Sequence, residues 1–213
     1  MGRFDLIVFD LDGTLIDSKY DLASSINYVR ALYDLPQLSV DKVRSYVGDG
    51  LAVLMEKSLP GLAGSEIEIA TIKYRAYYGT HLLETTKLYR GVKESLEKLS
   101  GVKKALLTNK PENFTKNILS GLAIEKYFKL VIGCDAGPKR KPDPFYLNEM
   151  LFKLKMDKGR CLMVGDGKND LLAAKAAGIK CAAVLYGYTA KQELAALDPD
   201  YNINNFEEIL AIV

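Results

Sequence analysis

Two carboxylates one residue apart, Asp10 and Asp12, close the apolar run from Leu6 to Phe9 and stand directly before Gly13. Such a run reads as a strand buried on both faces. Alternation along a strand sends Asp10 and Asp12 to the same side, where two negative charges at the mouth of an apolar sheet call for a cation. Read alone, Asp-x-Asp-Gly is also an ordinary turn behind a strand-ending acid.

Three further segments place polar groups at predicted strand ends. Thr108-Asn109-Lys110 follows Ala105-Leu106-Leu107, Lys141-Pro142 follows a third strand, and Gly165-Asp166 to Asp170 follows a fourth. Singly, each has a plainer reading: a helix cap for Thr108, Asn109, Asp166 or Asp170, and a solvated charge for Lys141. Jointly they point to one site, because ligands of an open parallel sheet sit beyond the carboxyl ends of the strands, where the winding reverses. For Asp10 and Asp166 to share a cation, the first and fourth strands have to be neighbours, which gives the order 5-4-1-2-3. Oxygen donors without His or Cys favour Mg2+, and Mg2+ points to phosphate.

The elements that position these groups are legible as a repeating pattern. From Lys103 onward strands alternate with helices: strands at Lys103 to Thr108, Leu130 to Cys134, Cys161 to Gly165 and Cys181 to Leu185, with a short strand and a last helix, Phe206 to Ile212, after Asp198-Pro199-Asp200. The intervening helices start at Pro111, Pro144 and Asp170, the last stopped by Gly178. This is an α/β chain with a Rossmann-like parallel sheet and helices on both faces. Between the first strand and Lys103 the sequence is wholly helical: Ser18 to Asp21 has capping-pair spacing, segments run from Ser39 to Val47 and from Leu51 to Leu59, and Ser65 to Glu68 opens a helix to about Leu83. A crossover needs only about 10–12 residues, so the excess is an inserted helical cap, residues 17–85, on a core of residues 1–16 and 86–213. Its ends meet near one sheet edge, as a lid requires.

Composition narrows the partners. The 213 residues hold 29 Lys and Arg against 27 Asp and Glu, a net charge of +2, which is no nucleic-acid footprint. Cys134, Cys161 and Cys181 are odd in number and lie in or beside apolar segments, so they read as buried thiols outside any disulfide or zinc framework. No leader and no run long enough to span a membrane is apparent, so a cytoplasmic location is expected, as a monomer or homodimer acting on a small phosphorylated metabolite.

In content and order the four segments resemble those of the haloacid dehalogenase superfamily, in its phosphatase branch with a helical cap, over essentially the whole chain. The resemblance implies Asp10 as nucleophile, Asp12 as general acid and base, Thr108 as a phosphoryl hydrogen-bond donor and Lys141 as charge balancer. It also implies Mg2+ held by Asp10, Asp166 and the Asp12 backbone carbonyl, with Asp170 in support directly or through water. Backbone N–H groups around Leu11 and Asn109 complete the phosphoryl cradle. Asp12 disfavours dehalogenation, since a halide leaves without a proton, and the intact acids disfavour a non-catalytic binding or regulatory protein.

Within that branch, Arg3 to Asp10, Thr108 to Pro111 and Tyr46-Val47-Gly48-Asp49-Gly50 are most similar to the phosphoglycolate phosphatase group. Pyrophosphatases and sugar-phosphate phosphatases or mutases share most of these motifs, and fold does not separate them. Discrimination is expected from the cap, where Arg44 and Lys42 are candidates for a substrate anion and Gly48 and Gly50 allow close backbone approach. Asp49 then has to face solvent or pair with a cation. A solvated helix face and a helix-ending turn explain the same cap residues, and His81 reads as a surface or packing residue.

Overall fold

The computed structural model describes residues 3–137 and 139–213. In chain order the strands are β1 (Leu6–Phe9), β2 (Ile16–Asp17), β3 (Lys87–Leu88), β4 (Lys103–Leu107), β5 (Leu130–Ile132), β6 (Cys161–Gly165), β7 (Lys180–Val184) and β8 (Tyr201–Ile203). The helices are α1 (Lys19–Ala31), α2 (Val40–Arg44), α3 (Leu51–Ser58), α4 (Ser65–Thr80), α5 (Val92–Lys98), α6 (Glu112–Gly121), α7 (Phe145–Leu154), α8 (Lys168–Ala177), α9 (Lys191–Ala195) and α10 (Ile209–Ile212).

A six-stranded sheet runs β5-β4-β1-β6-β7-β8 with every pairing parallel. The α/β class is therefore as expected. The order differs in detail, because Tyr201–Ile203 adds a sixth strand beyond the five of 5-4-1-2-3. β1 lies between β4 and β6, with Phe9 opposite Leu106 on one side and Val164 on the other. The winding thus reverses at β1, and the first and fourth long strands are neighbours.

Each face of β1 feeds a different apolar layer. Leu6 and Val8 join Leu147 and Met150 of α7 and Leu171 and Ala174 of α8. Ile7 and Phe9 join Leu96 of α5, Phe114 and Ile118 of α6, and Ile209 of α10. All four β1 side chains are fully buried, each contributing about 1.5–3 kcal/mol by removal from water. The second layer continues into α1–α4 through Leu22, Ile26, Val43, Met55, Tyr74 and Tyr78. In α4, Ala70, Tyr74 and Tyr78 recur every fourth residue and form its buried stripe.

Helices α1–α4 lie between β2 and β3, which pair antiparallel, Ile16 with Leu88 and Asp17 with Lys87. This two-stranded ribbon and helix α5 are absent from the sequence reading, in which the run around them is wholly helical or unassigned. Both expected capping boxes are corrected. Ser18 precedes α1 without a side-chain capping bond, its hydroxyl donating instead to Asp12. Ser65 is already helical, and Gly64 precedes α4. Cys161 and Cys181 are buried, whereas Cys134 is partly exposed, and all three are free thiols. Among the described residues no helix is long and apolar enough to cross a membrane.

Candidate active site

The carboxyl ends of β1, β4 and β6 converge on a cavity of about 480 Å³. Asp10 and Asp12 follow β1, Thr108 and Asn109 follow β4, Asp166 follows β6, and Asp170 lies in the first turn of α8. Lys141 comes from the loop before α7. Each of these residues lines the cavity.

Glycine makes the convergence sterically feasible at two points. Gly13 sits at φ +83°, and a Cβ there would collide with the Asp166 carboxylate. At Gly165 a Cβ would collide with the carboxylate of Asp170. One oxygen from each of Asp10, Asp166 and Asp170 lies within 4.8 Å of the others. Three acids so close repel one another, and Asp166 and Asp170 are almost wholly buried. Burial, reinforced by Asp10 and Asp170, pushes the Asp166 carboxyl far above the usual range. Burial and Asp10 likewise lift Asp170, to about 7, against the pull of Lys141.

A hard divalent cation reverses that penalty, and an all-carboxylate donor set suits Mg2+. Asp166 is already oriented for it: Thr14 Oγ1 donates to Oδ1 at 2.9 Å and the Tyr188 N–H to Oδ2 at 2.6 Å. Asp170 is occupied at both oxygens, Oδ1 by Lys141 Nζ at 2.5 Å and Oδ2 by the Gly167 N–H at 2.9 Å. The Asp12 side chain stands apart, with Lys110 Nζ 3.1 Å from each of its oxygens. The Asp12 carboxylate is thus outside the cluster formed by Asp10, Asp166 and Asp170.

Lys141 has its ammonium 2.8 Å from Asp10 Oδ1 and also donates to the Leu107 carbonyl at 2.8 Å. Burial disfavours this ammonium, but Asp10 and Asp170 more than compensate and raise its pKa. Asp10 Oδ1 is buried and, for all its proximity to Lys141, has no hydrogen-bond partner. Among the described residues the N–H groups of Leu11, Asp12 and Asn109 are also unpartnered. An acceptor oxygen and several donors without partners, at the ends of neighbouring strands, suit a tetrahedral anion in attack geometry.

The Leu11 side chain lies in the apolar core, so only its N–H belongs to the site. The Asn109 side chain is likewise committed: its amide donates to the carbonyls of Gly48 at 2.8 Å and Lys141 at 2.9 Å. Gly48, Asp49, Gly50 and Arg44 line the cavity from the helical side. Arg44 pairs with Asp41 of its own helix at 3.2 Å, while Lys42 is exposed and lies over the Tyr46 ring. Asp49 pairs with Lys57 at 3.1 Å and accepts from Asn169 at 2.9 Å, meeting the condition that it find a cation. His81 is away from the cavity, stacked on Tyr77.

The family model of the haloacid dehalogenase-like hydrolases matches residues 7–184. The chain belongs to that family. This hydrolase is 40% identical to phosphoglycolate phosphatase 1 of Pseudomonas aeruginosa, over 96% of its own length and 78% of the relative's. It is 39% identical to the phosphoglycolate phosphatase of Vibrio parahaemolyticus, over 98% and 95%. Its fold matches the crystal structure of a protein described as a predicted phosphoglycolate phosphatase from Haemophilus somnus 129pt, with a TM-score of 0.95 and 35% identity over 100% and 99% of the two chains. The enzyme is a phosphatase.

Several residues of the hydrolase's site had no sequence role. Thr14 lies inside the first motif, and Tyr188 follows β7, whose end carries no charged residue to signal a site. Asn169 joins Asp49 and the Gly48 carbonyl, at 2.9 and 3.1 Å. Asp21, 2% exposed, accepts from the backbone N–H and hydroxyl of both Thr85 and Thr86, tying the start of α1 to the chain returning toward β3.

Proposed function

We propose that this phosphatase is a Mg2+-dependent phosphomonoesterase that works through a phosphorylated Asp10 and prefers a small substrate with a second anion, 2-phosphoglycolate first. The observation that carries the covalent step is the buried Asp10 oxygen without a hydrogen-bond partner, beside the unpartnered N–H groups of Leu11, Asp12 and Asn109. That oxygen is desolvated and ion-paired with Lys141 but outside hydrogen-bond geometry, so it can turn toward phosphorus, and the amides are donors fixed before charge develops.

In the first half-reaction an Asp10 oxygen bonds to phosphorus, the bond from phosphorus to the leaving oxygen breaks, and that oxygen takes a proton from Asp12. In the second, Asp12 takes a proton from water, whose oxygen attacks phosphorus and releases phosphate and the Asp10 carboxylate. The Thr108 hydroxyl and the Lys141 ammonium offset charge on the phosphoryl oxygens. Asp10 and Asp166, with the Asp12 carbonyl, would hold Mg2+, and Asp170, with both oxygens occupied, would support it from behind while fixing Lys141. When bound, Mg2+ supplies positive charge that keeps the acids ionised and stabilises the transferring phosphoryl group.

Residues 17–85 serve as the lid, hinged at the β2–β3 ribbon, with the Gly48 carbonyl docked on Asn109 and Asn169. The substrate preference rests on the relatives named phosphoglycolate phosphatase and on a cavity suited to a small metabolite. Phosphate release from 2-phosphoglycolate, ethyl phosphate, hexose phosphates and pyrophosphate tests it. 2-Phosphoglycolate should give the highest kcat/KM, and a preference for pyrophosphate would overturn the reading.

A further inference from the structure

We propose that the second anion of the substrate is recognised by Lys110 of the core together with Tyr78 of α4, an inference that rests on the carboxylate preference above. From the sequence, the expected contact is in the cap, at Arg44. Geometry favours Lys110. Among the described residues four cationic side chains line the cavity: Arg44, Lys110, Lys141 and Lys168. Lys141 is committed to Asp10, Asp170 and the Leu107 carbonyl. Lys168 is 52% exposed and paired with Glu193, and Arg44 is 36% exposed and paired with Asp41. Lys110 is paired too, with Asp12, but its side chain is 5% exposed, so its ammonium acts on a neighbour with little screening by water.

Its position fits the leaving group. An acid that protonates the leaving oxygen has to come within about 2.6–3.2 Å of it, and Lys110 Nζ is 3.1 Å from both oxygens of Asp12. The ammonium therefore lies within roughly 6 Å of the leaving oxygen. In 2-phosphoglycolate one methylene separates that oxygen from the carboxyl carbon, which puts the carboxylate inside this span. A longer alcohol would carry its far end past the ammonium.

Tyr78 supplies an independent observation. Its ring centroid is 4.8 Å from Lys110 Nζ, and its side chain, 1% exposed, lines the cavity. The hydroxyl is buried and has no hydrogen-bond partner. A buried donor left unpaired is costly, and a carboxylate beside Lys110 is an acceptor of the right charge for it. The second anion is then gripped between a core ammonium and a cap phenol, so its binding and the seating of α4 favour each other.

The test is the ratio of kcat/KM for 2-phosphoglycolate to that for ethyl phosphate, in wild type, Lys110→Met, Lys110→Arg, Tyr78→Phe and Arg44→Ala. Because both substrates meet the same preparation, partial unfolding cancels from the ratio. Lys110→Met should lower it by roughly 10- to 100-fold, chiefly through KM for 2-phosphoglycolate. Lys110→Arg should retain more of the ratio than Lys110→Met does, and Tyr78→Phe should lower it by roughly 3- to 10-fold. An unmoved ratio in Lys110→Met would mean that Lys110 acts only through Asp12, and a larger fall in Arg44→Ala would give the role to the cap; either overturns this proposal alone. A wild type without carboxylate preference overturns the substrate reading itself.

Discussion

Replacing Asp21 with Ala should destabilise the enzyme by about 2–4 kcal/mol. The magnitude follows from where the four donors to this carboxylate sit. Thr85 is exposed, so water can replace Asp21 at its N–H and hydroxyl. Thr86 is buried, and its N–H and hydroxyl, now 2.9 and 2.7 Å from Asp21 Oδ2, would be left unpaired. Each unpaired buried donor costs about 1–3 kcal/mol. Urea unfolding near neutral pH should show the loss as a lower midpoint at unchanged slope. A pH series adds a second signature. Burial would raise the Asp21 carboxyl, but the Thr85 and Thr86 hydrogen bonds outweigh it and hold its pKa below the ordinary value. A lowered folded pKa contributes stability that is complete above the unfolded value of about 3.9 and is lost as pH falls through the folded value. The gap between wild type and Asp21→Ala should therefore be constant from about pH 7 to pH 5 and narrow below about pH 4. A gap under about 0.5 kcal/mol, or one that widens as pH falls, would refute the clamp.

Two further outcomes concern the chemistry. Asp12→Asn should lower turnover of ethyl phosphate by about 10²- to 10⁴-fold and that of p-nitrophenyl phosphate by much less, since nitrophenolate leaves without a proton; equal losses would remove Asp12 as the acid. Exhaustive chelation should abolish turnover and Mg2+ should restore it. In thermal melts, Mg2+ at about 100 times its Kd should add about 2.7 kcal/mol of stability, an effect that Asp166→Asn should largely lose. Full activity after chelation would count against the shared cation.

The residues at the sheet mouth were legible because few residue types suit attack on phosphorus beside a cation, and because the alternation of strands and helices put them at one end. Asp10 and Asp166 had to be neighbours, and the pairing of Phe9 with Val164 supplies that contact. The neck was illegible for a definite reason. Ser18 and Asp21 have the spacing of a local capping pair, yet Ser18 donates to Asp12 and Asp21 binds residues 64 and 65 positions away. Long-range polar pairing leaves no periodic trace in a sequence. β2 and β3, at two residues each, are too short for alternation to register. Lys110 was read only as part of Thr108-Asn109-Lys110, because its burial beside Asp12 and Tyr78 depends on how α4 docks.

Covalent capture of the intermediate tests the central claim most directly. Enzyme turning over 2-phosphoglycolate with Mg2+ is quenched in acid within milliseconds, digested and analysed by mass spectrometry. The peptide containing Asp10 should carry one phosphoryl group, absent from Asp10→Asn, whose turnover should fall by several orders of magnitude. Unmodified Asp10 peptide throughout turnover, together with near wild-type activity in Asp10→Asn, would contradict nucleophilic catalysis by Asp10.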